Sequence, residues 1–137
     1  MPRDRPYGFN TAGTVFSVAE NVLNARIALA KNDRRAALDY LNKAVEVEDS
    51  LNYNEPEDWY SPVRESLGGV LIISGDYEGA ERVFRAELKK HPRNGRALFG
   101  LMESLKKQNK TAAAQFVQRE FEAVWKNADI KLRIEDL

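Results

Sequence analysis

Helical periodicity, broken at three matched places, is the feature that most constrains this chain. Val18, Val22, Leu23, Ile27 and Ala30 recur at spacings of three and four, which places them on one helix face. After Asn32-Asp33 the period resumes with Ala37, Leu38, Leu41, Ala44, Val45 and Glu48. A third helix reads from Val63, Leu67, Val70, Leu71 and Ile73 to Gly75-Asp76, with Ser61 at the N-cap and Pro62 at the first helical position. A fourth follows with Ala80, Val83, Phe84 and Leu88 and stops at His91-Pro92. The fifth carries Leu98, Leu101, Met102 and Leu105 and breaks near Asn109; the sixth holds Ala114, Val117, Phe121, Val124 and Trp125. Six helices in three pairs predict an all-α fold. Residues 1–13, with Pro2, Pro6, Gly8, Asn10 and Gly13, read as an irregular leader. In the C-terminal tail, residues 127–137, Ile130, Leu132 and Ile134 alternate, which fits a strand-like extension or an apolar flap.

With Gly75 as the turn between two helices, Asn32 and Asn109 stand at the matching positions. Gly75 and Asn109 are 34 residues apart; Asn32 and Gly75 are 43 apart, the excess falling in the loop around Glu55 to Trp59. A period of 34 residues belongs to tetratricopeptide repeats. The middle pair resembles that motif through Leu67, Gly68, Leu71, Gly75, Tyr77, Ala80, Phe84 and Pro92. Gly68 and Ala80 are small where two helices cross closely, Gly75 suits a left-handed turn, and Pro92 ends a helix. The first pair matches through Ala25, Ala37, Leu41 and Ala44, and the third through Leu98, Leu101, Leu105 and Ala114, with the looseness of terminal repeats. The resemblance implies a right-handed α-solenoid of about three hairpins, near residues 14–49, 61–92 and 94–126.

One stretch is more specific. Leu51, Tyr53, Glu55, Pro56, Trp59, Pro62, Val63, Arg64, Leu67 and Gly68, followed by Ala80-Glu81-Arg82-Val83-Phe84-Arg85, are similar to the C-terminal segment of large bacterial tetratricopeptide proteins of poorly defined function. The likeness spans about residues 18 to 130 and departs at Glu57, where a second proline is usual. It implies a fold and a binding surface, with no defined activity.

Composition narrows the function. Lys plus Arg and Asp plus Glu each number 21, so the net charge is zero, and a nucleic-acid partner is not expected. There are no cysteines and one histidine, His91, which argues against a thiolate zinc site, a histidine-based metal site or a Ser-His pair. No cofactor and no enzymatic role are expected, because no nucleophile, glycine-rich phosphate loop or metal-ligand spacing is present. The basic start, Met1 to Pro6, lacks a following apolar run and is not a signal peptide, and Val70 to Ile73 is too short to span a membrane. A soluble chain is expected, cytoplasmic if the sequence is complete.

Two surfaces are candidates for binding. The first is the 50–62 loop, where Glu55, Trp59 and Tyr60, with Arg64 just beyond, combine an acid, aromatics and a guanidinium. Arg64 in the first turn of a helix opposes the positive helix terminus, so a carboxylate partner, Glu55 or Asp58, is expected. The competing reading is structural: Trp59 and Tyr60 wedge between the first two repeats while Arg64 pins the loop. The second surface is the groove that first helices line in tetratricopeptide arrays: Val22, Arg26 and Leu29, then Glu65, Gly69 and Ile72, then Arg96, Phe99, Glu103 and Lys106. Val22 and Arg26 stand where a chaperone-tail clamp would need Lys and Asn, so that subclass is not expected. Glu81, Glu87, Lys89 and Lys90 read as the solvated outer face of the fourth helix, and His91 as an exposed turn residue. Phe121, Trp125 and the tail are candidates to cap the open end of the array; left uncovered, that end would favour a homodimer. The expected role is a protein-interaction module binding a peptide or protein partner. The alternatives are a small-ligand or ion sensor built on the loop carboxylates and aromatics, and a structural terminal segment of a larger repeat protein.

Overall fold

A computed structural model describes residues 3–137; the first two residues of the expected leader lie outside the described residues. The fold is mostly helical. It divides into two units, the first ending at Val63 and the second running from Arg64 to Leu137.

In the first unit, β1 (Pro6–Tyr7) and β2 (Asn10–Thr11) pair antiparallel, with Pro6 opposite Thr11 and Tyr7 opposite Asn10. The described part of the leader is therefore a small hairpin rather than irregular chain. A two-residue connection needs positive φ, and Gly8 supplies it at +60°. Helix α1 (Ala12–Ala30) starts directly afterwards, and Thr11 caps it by accepting from the Thr14 N–H at 3.2 Å. Helix α2 (Arg34–Asp49) packs along α1 through Ala37, Leu41 and Ala44. The face of α1 that is buried carries Val18, Ala25 and Ala28. Leu23 and Ile27, expected on that face, are instead 59% and 44% exposed. Apolar residues occupy two sides of α1, and the side with the smaller ones is buried, where closely packed helices leave little room.

Helix α3 (Val63–Ile73) starts on the last residue of the first unit, and the second unit contains the rest of it with α4 (Tyr77–Lys90), α5 (Gly95–Lys107), α6 (Thr111–Trp125) and a final 3-10 turn (Ile134–Asp136). Helix α3 begins at Val63, one residue after the expected Pro62. The N–H of Val63, the last residue of the first unit, donates to the Glu48 carboxylate at 3.2 and 3.3 Å.

The three turns expected to match do so in backbone geometry. Asn32, Gly75 and Asn109 have φ of 59°, 85° and 60°. Each is followed by an N–H that reaches back five positions: Asp33 to Ala28, Asp76 to Leu71 and Lys110 to Leu105, at 2.9, 3.0 and 3.0 Å. This closes the carbonyls left open at a helix C-terminus. Asp33 and Asp76 then cap α2 and α4, accepting from Ala36 and Gly79 at 3.0 and 2.8 Å. Lys110 makes no such side-chain cap. Ala37, Ala80 and Ala114, the small residues of the second helices, are all buried.

The core of the second unit is organised around Phe84, which is fully buried. A Cβ placed on Gly68 of α3 would lie 2.3 Å from the Phe84 ring, and one on Gly100 of α5 would lie 2.1 Å from it. Two helices thus lay bare backbone against one ring. Ala80, Ala97, Leu98, Leu101, Met102, Leu105 and Val117 complete the cluster.

Of the charged residues of α4 expected on a solvated face, Lys89 and Lys90 are exposed, whereas Glu81 and Glu87 depart from it. Glu87 is only 1% exposed, because it shares the inward face with Phe84 three residues earlier. Glu81 accepts from Lys110 at 2.8 Å, Gln108 at 2.9 Å and Arg85 at 2.9 Å, tying α4 to the turn before α6. Burial alone would raise the Glu81 pKa, but the hydrogen bonds from Lys110, Arg85 and Gln108 outweigh it and hold the carboxyl at about 2.

Two outcomes follow. Phe84→Ala leaves a cavity between α3 and α5 and costs about 3–5 kcal/mol in denaturant unfolding, enough to threaten a domain of this size. A carboxyl lowered on folding stabilises above its unfolded pKa and loses that contribution as pH falls toward the folded value. The chain therefore loses stability from about pH 4.5 down to about 2, in part through Glu81; Glu81→Gln flattens that part of the acid unfolding profile.

Candidate functional site

The 50–62 loop belongs to the first unit and is clasped by the N-terminal hairpin. Asn10, the buried polar residue of β2, acts as a stand-in for a strand. Its Oδ1 accepts from the Asn52 N–H at 2.7 Å and its Nδ2 donates to the Asn52 carbonyl at 3.1 Å. The same Nδ2 donates to Asp58 Oδ2 at 2.6 Å, and Asn54 Nδ2 reaches Asp58 Oδ1 at 3.0 Å. Asn52 in turn donates to the Phe9 carbonyl at 3.0 Å. Nothing in the sequence pattern singled out Asn10, because a side chain imitating a backbone leaves no periodicity.

The candidate residues of the loop differ in exposure. Tyr60 is 92% exposed and so does not wedge into a core. Trp59 is half-buried, and its indole N–H is buried with no hydrogen-bond partner among the described residues. Glu55 is exposed and accepts from the Tyr53 hydroxyl at 2.6 Å, which, with some burial, raises the Tyr53 pKa. Arg64 opens the second unit and is half-buried. A shallow hollow of about 350 Å³ lies beside the hairpin, lined by Phe9, Asn10, Thr11, Thr14 and Asn52 among others. Among the described residues no group of three carboxylates or histidines is placed to hold a metal ion. No helix described is long and apolar enough to cross a membrane.

Among the groove candidates, Arg26 and Leu29 of α1 are exposed. Those of α3 and α5 are mostly not. Glu65, Gly69, Ile72 and Phe99 are buried. Glu103 and Lys106 lie farther along α5 and pair with each other at 3.0 Å. Glu65 sits in a polar network that sequence reading missed. Its Oε2 accepts from Arg96 Nε at 2.6 Å and its Oε1 from Asn94 Nδ2 at 2.8 Å. Asn94 also donates to Glu87 at 3.3 Å, and Glu87 pairs with His91 Nδ1. His91 is therefore half-buried and bonded to a buried carboxylate, not an exposed turn residue. A buried carboxylate is tolerated only where such donors satisfy it.

The tail covers this face. Leu132 is buried in the core cluster, and Ile134 and Leu137 pack against it. A Cβ on Gly69 would lie 3.0 Å from the Leu137 Cβ and 3.5 Å from the Ile134 carbonyl oxygen. Arg96 Nη2 donates to the Asp136 carbonyl, and Ser66 Oγ lies 3.5 Å from that of Leu137. Trp125 Nε1 donates to the Ile130 carbonyl at 2.9 Å. Of the two forms expected for residues 127–137, the segment takes that of a flap, ending in a 3-10 turn braced by Arg133 and Asp136. Phe121 and Trp125 stack at 5.7 Å and extend to Phe99 of α5, also 5.7 Å from Phe121.

Asn10→Ala removes one acceptor and two donated bonds and leaves the Asn52 amide and Asp58 without them. The expected cost is about 1–3 kcal/mol, with residues 50–62 becoming the first site of cleavage in limited proteolysis.

Compared with family models, with curated proteins and with solved structures, the chain gives no match.

Proposed function

We propose that this chain is a protein-interaction module of tetratricopeptide type, whose three hairpins stack as a right-handed solenoid and whose first helices, with the 50–62 loop, receive a peptide or protein partner. The observation that carries this reading is the turn repeated at Asn32, Gly75 and Asn109, with the same left-handed backbone and the same five-position hydrogen bond each time. Equivalent turns followed by equivalent buried alanines mark three copies of one supersecondary unit, and such copies bury their faces by stacking. Stacked hairpins leave one set of helices facing inward, which suits recognition of an extended or helical segment. The exposed side chains suited to contact are Arg26 and Tyr60, with the Glu55–Tyr53 pair of the same loop as Tyr60.

The test is capture of partners from a lysate of the source organism on the immobilised chain, read by mass spectrometry. Arg26→Ala and Tyr60→Ala are each expected to deplete the same captured protein while leaving the melting temperature unchanged. Capture that survives both substitutions, or that is lost only together with thermal stability, defeats the reading.

A further inference from the structure

We propose that the face of the second unit built by Ser66 and Gly69 of α3 and Arg96 of α5 is a receptor for an extended segment of a partner protein, and that residues 130–137 of this chain occupy it as a displaceable internal ligand. The proposal rests on the interaction-module reading and narrows it to one kind of segment. It follows from how the occupant is held. Side chains of Trp125, Arg96 and Ser66 address the carbonyls of Ile130, Asp136 and Leu137, two at one end of the segment and one at the other. Donors aimed at main-chain carbonyls read no side chain, so they serve any chain laid along the same path.

Selection comes from the apolar positions. Leu132, Ile134 and Leu137 turn onto the cluster that includes Ile72 and Phe99, while Arg133 and Glu135 between them, and Lys131 before them, are exposed and Asp136 is half-buried. The face thus reads apolar residues at the first, third and sixth positions and leaves the others free. Gly69 lets the occupant approach to backbone contact, and a side chain there would fill the seat. Charge excludes another class of ligand. The Arg96 guanidinium is already neutralised by Glu65 at 2.6 Å, so it suits a neutral carbonyl rather than a phosphate or a free carboxylate.

The occupant itself is lightly built. Its one regular element is a three-residue turn, braced by an Arg133–Asp136 pair at 3.0 Å on the surface. Exposed ion pairs of this kind add little, so the segment is held chiefly by the burial of Leu132, which an apolar residue of a partner laid in the same seat would replace. Tethering gives the segment an effective concentration on the order of millimolar, which a partner segment must outcompete.

The probe is a labelled synthetic peptide spanning Asp129–Leu137, blocked at both ends and followed by fluorescence anisotropy. The intact chain is compared with the full-length Leu132→Asp/Ile134→Asp variant, which frees the face. The peptide is expected to bind the variant at least about tenfold more tightly than the intact chain, and Gly69→Val in the same background is expected to abolish binding. Failure of the peptide to bind a variant that keeps its helical circular dichroism overturns the proposal, as does equal affinity for both proteins. A second arm does not depend on the variant folding: a protease site is placed at residues 127–129 of the otherwise native chain and cut. The cut segment is expected to stay bound and to exchange with excess labelled peptide. Loss of helical signal on cutting, or absence of exchange, assigns the segment to the permanent core and overturns the proposal. A dimer of the intact chain that dissociates when the segment is cut makes a second copy the occupant, and overturns the assignment to a partner. A freed variant that captures a protein but ignores the peptide defeats this inference alone; one that captures neither defeats the module reading too.

Discussion

The Phe84 ring, held between the bare backbones of Gly68 and Gly100, governs the arrangement of the second unit. Because both glycines lack side chains, α3 and α5 close on α4 at ring thickness, and the remaining core positions are filled around that contact. The face of α4 that carries Phe84 inward also carries Glu87 inward. A carboxylate in that place demands donors, and His91 and Asn94 supply them from the end of α4 and the start of α5. Asn94 then reaches Glu65, Glu65 holds Arg96, and Arg96 holds the tail. A single packing contact is in this way followed outward, through a chain of satisfied polar groups, to the surface on which residues 130–137 rest.

The turns show the same economy with local variation. Gly75 takes its left-handed backbone without steric penalty, and Asn32 and Asn109 take it as the residue type that tolerates it best after glycine. In the first two turns an aspartate caps the following helix. The third has Lys110 instead, and that lysine turns its ammonium to Glu81 of α4. A local cap has been exchanged for a tertiary tie, which makes the start of α6 depend on α4 for its anchoring.

Much of this was legible in the sequence, and the misses share a cause. The six helices and the three turn residues follow from periodicity and from turn chemistry, both local properties. Leu23 and Ile27 were assigned to the wrong side because α1 offers apolar residues on two faces, and only the partner helix decides between them. Glu87 read as solvated because the groups that satisfy it, His91 and Asn94, carry no pattern that announces the pairing. The tail, alternating at Ile130, Leu132 and Ile134, is compatible with a strand; no strand partner is offered to it, and Asp136 folds its end into a turn. Of the candidate binding residues, Tyr60 and Arg26 are open to solvent, whereas Glu65 is buried against Arg96 and Phe99 in the cluster with Leu132, an outcome set by residues some 30 positions away in the chain.

The neighbouring pair Gly68-Gly69 has a further consequence. Adjacent positions on a helix point about 100° apart, so one glycine admits the aromatic ring of α4 while the next admits the covering segment. Each costs roughly 1 kcal/mol of helix propensity relative to alanine. Their placement also removes a freedom: if α3 rolled about its long axis by a single residue's angle, a side chain would be driven into one or the other neighbour. Two absences of bulk thus help to fix the rotational orientation of α3 beside its buried side chains, and the seat stays shaped for a covering chain.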